Sequence, residues 1–96
     1  MANAIFFGDV LDFEIKRQGL SRADLARKAQ VSVQTISYYI KKIKTPTLFK
    51  AIQIADALGC SVGYMVGANA MTETERKRFD VIREYKIQIG NSEEWK

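Results

Sequence analysis

Ninety-six residues with a net charge of +4, 47% hydrophobic and 27% charged, suffice for one core and exclude a core plus a separate ligand-binding module. A single cysteine, Cys60, and the absence of histidine exclude an internal disulfide and leave no metal site, so no cofactor and no small-molecule ligand are expected, and Cys60 reads as a buried structural thiol of a reducing compartment. No apolar run is long enough to span a bilayer, and MANAIFFGDVLDFEIK lacks the basic n-region and small-residue cleavage site of a signal peptide, so a cytoplasmic protein with no membrane partner is expected.

In chain order, the pattern from Phe7 to Gln18 predicts a helix with Phe7, Leu11 and Ile15 on one side and Gly19 ending it in a left-handed cap. Ser21 is placed to cap a second helix with Leu25, Ala26 and Ala29 inward. Ser32 is placed to cap a third, over about Val33–Lys41, with Ile36, Tyr39, Ile40 and Ile43 inward and Gln34, Ser37, Tyr38 and Lys41 on its polar side. Two short helices joined by so tight a turn make a helix-turn-helix. A fourth helix follows Thr45-Pro46-Thr47, with a repeat of Leu48, Ile52, Ala55 and Leu58 before Gly59 stops it. Ser61 then caps a short fifth helix, Val62–Val66. Thr72-Glu73-Thr74-Glu75 is a capping-box pattern opening a last helix to about Ile89, with Phe79, Ile82, Tyr85 and Ile89 as its stripe and Gly90 as its stop. No window alternates apolar and polar residues between hairpin turns, so the fold class is all-α, five helices and an additional C-terminal one.

That pattern divides the chain into a helix-turn-helix domain, 1–69, and a C-terminal helix and tail, 70–96, a candidate dimerisation element. The last helix either covers its own domain or pairs with the same helix of a second subunit; Tyr64, Met65, Phe79, Ile82, Tyr85 and Ile89 are the candidate interface residues, with Trp95 beside them.

The charge is unevenly distributed. From Lys16 to Lys50 nine basic residues face the single acid Asp24, whereas from Met71 onward six acids balance six bases. The positive field therefore sits on the helix-turn-helix, which points to double-stranded DNA as the partner. Gln34 is the leading candidate for base reading, because one amide both donates to and accepts from an adenine edge. Val33 could meet a thymine methyl, and Ser37 and Tyr38 could reach bases or phosphates. Arg22, Lys41, Lys42, Lys44 and Thr45 are the candidate phosphate contacts, which set register without reading sequence. Lys16, Arg17, Arg27 and Lys28 serve long-range attraction. No nucleophile–base pair, metal cluster or phosphate loop is present, so an enzyme is not expected.

RQGLSRADLARKAQVSVQTIS followed by TPTLFKAIQIADALGCSVGYMVG resembles the lambda-repressor-like, Cro/repressor-type (XRE) helix-turn-helix DNA-binding domains over about Leu11 to Gly67. The resemblance rests on Leu25-Ala26, the apolar Ala29, Val31, Ile36 and Tyr39, then Pro46 and the Ala55-x-x-Leu58-Gly59-x-Ser61 run. It implies that the third helix lies in the major groove, and that the start of the second helix and the loop before the fourth grip the sugar–phosphate backbone. Departures from the family pattern are Arg22 for a glutamine, Gln30 and Lys42 for glycines, and Ile15 with Ile40 for an arginine–glutamate pair. A nucleoid-bound bacterial or phage transcriptional regulator is implied, a repressor that occupies a two-fold operator as a homodimer. An antitoxin that represses its own operon, or a protein-interaction module on the same fold, are the alternatives.

Overall fold

A computed structural model describes residues 7–68 and 70–89, and the side chains of all of these but 85–89. Six helices follow one another: α1 (Phe7–Gln18), α2 (Arg22–Ala29), α3 (Val33–Ile40), α4 (Leu48–Leu58), α5 (Val62–Met65) and α6 (Glu73–Ile89). No strand occurs among the described residues, so the all-α class stands.

Short polar side chains start these helices. Ser21, Ser32, Thr47 and Ser61 each sit in extended backbone and accept a bond from the amide three residues on, at Asp24, Thr35, Lys50 and Tyr64. Each such cap satisfies an otherwise orphaned donor and is worth about 0.5–2 kcal/mol. Pro46 precedes the Thr47 cap and so stands just outside α4 rather than in its first turn.

The helices end as uniformly as they begin. At Gly19, Gln30, Lys42 and Gly59 the chain turns left-handed, with φ of 69°, 60°, 63° and 69°. In each case that residue's amide and the next one bond back to carbonyls of the last turn, for instance Gln30 to Arg27 and Val31 to Ala26. Lys42 closes α3 in the same way, its amide on Tyr39 and that of Ile43 on Tyr38. The turn geometry is thus kept where glutamine and lysine replace glycine, against an intrinsic cost of about 1–2 kcal/mol per residue.

The core gathers Val10, Leu11 and Ile15 of α1, Leu25, Ala26 and Ala29 of α2, Ile36 and Tyr39 of α3, Ile54, Ala55 and Leu58 of α4, Tyr64 and Met65 of α5, and Ile82 of α6. Burying each large apolar side chain contributes about 1.5–3 kcal/mol. Where α1 crosses α3, a β-carbon on Gly8 would collide with the carbonyl oxygen of Tyr39, so glycine allows the close approach. The Phe7 ring meets Tyr39 edge-on at 5.9 Å beside it.

Four sequence-based expectations are corrected. Ile43 is 62% exposed, because α3 ends at Ile40 and the left-handed Lys42 carries the chain away from the core. On α4, Leu48 and Ile52 are exposed while Ala51 and Ile54 join Ala55 and Leu58 inside. The small Ala51 and Ala55 let α4 settle close on its neighbours, which the bulkier Leu48 and Ile52 would prevent. Ile40 is only half-buried, and α5 stops at Met65.

The candidate dimer residues Tyr64, Met65, Phe79 and Ile82 are corrected as well. Tyr64 and Met65 are 0% exposed and Ile82 6%, inside their own domain. Phe79 packs edge-on against Tyr64 at 6.4 Å. The first half of α6 therefore packs on its own α1 and α5 and buries apolar surface there. Tyr85, Ile89, Gly90 and Trp95 as interface or stop residues lie outside the described residues or side chains. The capping box at the start of α6 is formed as expected, Thr72 and Glu75 bonding each other's amides at 3.1 Å. Glu75 also accepts from the Ser61 amide at 2.8 Å and hydroxyl at 2.6 Å, tying α6 to α5.

Candidate nucleic-acid interface

The α2–α3 turn sets the site. A capping box joins Ser21 and Asp24, each amide bonded to the other's side chain at 3.0 Å. The Ser21 amide bond, aided by the Ser21 hydroxyl and Arg27, holds the Asp24 carboxyl below its ordinary range, so it stays charged at the start of α2. Behind the turn the Gln53 amide donates to the Ala29 carbonyl at 3.3 Å and fixes α4 against the end of α2.

On this frame α3 presents its outer face. Val33, 45% exposed, and Gln34, also exposed, stand in its first turn, the end from which side chains of a recognition helix enter a groove. Ser37 and Tyr38 follow one turn later and are half-buried. The expected site residues contact one another. Arg22 donates from Nη1 to the Ser37 hydroxyl at 3.0 Å, joining the start of α2 to the middle of α3. The Gln34 amide nitrogen donates to the Tyr38 hydroxyl at 2.5 Å. The Lys44 ammonium lies 5.1 Å from the centre of the Tyr38 ring.

Lys41 and Thr45 are exposed at the end of α3 and in the loop before α4. Lys42, another of the candidate phosphate contacts, meets an acid of its own chain. Its ammonium lies 2.8 Å from the carboxylate of Asp9, whose side chain is only 5% exposed. The left-handed turn at Lys42 aims its side chain back at α1, so this lysine serves as a tie between α1 and the end of α3. Ser37, engaged by Arg22, is likewise less available to a base than its position suggested.

Sequence reasoning missed a buried carboxylate of α1. Glu14 is fully buried, yet charged, among Arg17, Gln18, Tyr64 and Arg78. Its neighbour Cys60 is half-buried, and burial with the nearby Glu14 charge pushes its thiol up to about 12, which makes it an inert thiol. No cluster of ligating side chains suited to a metal occurs among the described residues. No helix among them is long and apolar enough to cross a membrane.

A short uncharged helix with an exposed first turn, held by a capped partner helix and flanked by Arg22, Lys41 and Lys44, is the geometry of DNA readers. The helix-turn-helix family model HTH_3 matches residues 14–65, more than half of the chain. The chain belongs to the Cro/C1-type helix-turn-helix (XRE) family. Membership makes it a DNA-binding transcriptional regulator of the XRE type, in a family of regulatory domains rather than enzymes. In XRE terms the matched stretch begins at the buried Glu14 and ends with α5, so α6 lies beyond it. Comparison with curated proteins and with solved structures returns no match.

Proposed function

We propose that this XRE protein is a repressor that occupies an operator with α3 in the major groove. The observation that carries the reading is the layout of the outer face: Val33 and Gln34 are exposed at the start of α3, with Arg22 before them in α2 and Lys41, Lys44 and Thr45 after them in the chain. Gln34 and Val33 read bases, with Tyr38 and Ser37 behind them, while the cations and Thr45 hold phosphates. Two copies sit on a two-fold operator, one half-site each, and repression follows from blocking polymerase.

Selection of bound sites from a random duplex pool tests this. One preferred half-site, repeated with two-fold symmetry, is the expected product, and a duplex carrying it upstream of a reporter should silence transcription. Gln34→Ala should cost about 1–3 kcal/mol on the selected site and little elsewhere, whereas Arg22→Ala should weaken all duplexes alike and flatten the salt slope. A pool that enriches no sequence, or affinity indifferent to salt, overturns the reading.

A further inference from the structure

We propose that Tyr38, rather than reading a base itself, is a positioning residue that couples base reading by Gln34 to the backbone grip of Lys44. Three parts of this one residue are engaged. Its hydroxyl accepts the Gln34 amide at 2.5 Å, and its ring face carries the Lys44 ammonium at 5.1 Å. Its carbonyl accepts the amides of Ile43 at 2.9 Å and Lys44 at 3.4 Å, which anchors the loop that bears Lys44. The side chain is half-buried while Gln34 is exposed, so Tyr38 is the fixed member of the pair.

The physical consequence is preorganisation. A glutamine in the exposed first turn of a helix samples several rotamers, and ordering it on DNA subtracts from affinity. Once one amide hydrogen is committed to the tyrosine oxygen, Gln34 still keeps an N–H and its carbonyl oxygen, the donor and acceptor that an adenine edge requires. The ring restricts Lys44 in the same way, by attraction of its cation to the π face. Gln34 and Lys44 are therefore presented together, and the register set by a phosphate at Lys44 determines which base meets Gln34. This inference rests on the DNA-reading role proposed for α3.

Tyr38→Phe removes the hydroxyl and keeps the ring; Tyr38→Leu removes both. Affinities of the full-length variants are measured by titration on the duplex selected by the unaltered protein and on a random duplex, across a salt series. Tyr38→Phe should lower the preference for the selected duplex about three- to tenfold, as expected for one lost hydrogen bond, and leave the salt slope unchanged. Tyr38→Leu should show the same loss and a slope shallower by up to ~0.9. In a Gln34→Ala background, Tyr38→Phe should change the preference no further. An additive loss there means that Tyr38 touches a base itself, and an unchanged preference in Tyr38→Phe alone means that its hydroxyl does not hold the reader; either result overturns the proposal. Failure of the unaltered protein to prefer any duplex overturns the DNA-reading role instead, and this inference with it. Circular dichroism of Tyr38→Phe, equal to that of the unaltered protein, separates lost reading from lost fold.

Discussion

The Tyr64 hydroxyl donates a 2.6 Å hydrogen bond to the Glu14 carboxylate, joining α5 to α1 across 50 residues of sequence in the middle of the domain. Burial alone would push this carboxyl up. Bonds from Arg17 at 3.0 Å, from Tyr64 and from Gln18 at 3.1 Å, with the Arg78 charge at 3.6 Å, together outweigh that effect and hold it below its ordinary value of 4.5. The same contact raises the Tyr64 phenol, after burial, so the proton stays on the tyrosine. One carboxylate thus anchors α1, α5 and α6, and the Gln18 amide continues to the Leu58 carbonyl of α4 at 2.8 Å.

The sign of the pH dependence follows. A carboxyl whose folded value is depressed contributes stability that is fully present above its unfolded value and lost as pH falls through the folded one. Glu14 and Glu75 are both depressed, so denaturant stability should hold at neutral pH and decline once pH drops below about 4.5. Glu14→Gln should be less stable at pH 7, by roughly 1–3 kcal/mol, and its decline through the acid range should be shallower than that of the unaltered protein. Parallel declines would mean that Glu14 does not titrate as the contacts require.

Tyr64→Phe isolates the hydroxyl. The ring still fills the core against Phe79, while Glu14 loses its shortest donor. A loss of about 1–3 kcal/mol by chemical denaturation is expected, with near-native helix content, because a bond to a buried charge exceeds a neutral one.

Gly8→Ala tests the α1–α3 crossing. Alanine improves the helix propensity of α1 by about 1 kcal/mol, yet its methyl would strike the Tyr39 carbonyl and push α3 outward. Overpacking of this kind costs about 1–3 kcal/mol. A lower melting temperature and weaker binding to DNA, through displacement of α3, are the expected results; a stabilised protein would show that the helices part without strain.

Gln30→Gly should stabilise. The left-handed backbone at φ 60° is strained for glutamine and free for glycine, and the exposed side chain is given up cheaply. A gain of about 0.5–1 kcal/mol, or a few degrees in melting temperature, is expected by thermal denaturation. The β-branched Gln30→Val should move it the other way.

A chain ending at Ala70 loses the Glu75 bonds to Ser61, the Arg78 charge beside Glu14, and the cover that Phe79 and Ile82 lay over Tyr64. It should melt well below the full-length chain and bind the dye ANS, which reports exposed apolar surface. Unchanged stability would return α6 to the role of a separate element.

Starts and ends of helices were legible in the residues because a cap is a local event: Ser21, Ser32 and Ser61 satisfy amides three residues away, and Gly19 and Gly59 close the turn they follow. The helix-turn-helix and its exposed Val33 and Gln34 were legible for the same reason, as was the all-helical class. What only the tertiary structure decided was how each helix is rotated about its axis and which distant partner its polar groups find. On α4 two staggered sets of apolar residues offered rival inward faces that share Ala55 and Leu58, and the packing against neighbouring helices selected Ala51 and Ile54 over Leu48 and Ile52. The pairing of Lys42 with Asp9, across the α1–α3 crossing, is set by the left-handed turn at Lys42 and not by sequence neighbours. Nothing near Glu14 in sequence marks it for burial; Tyr64 and Arg78, far along the chain, close over it. A period of 3.6 residues says that a face exists; the free energy of burial and of pairing, summed over residues remote in sequence, determines what that face meets.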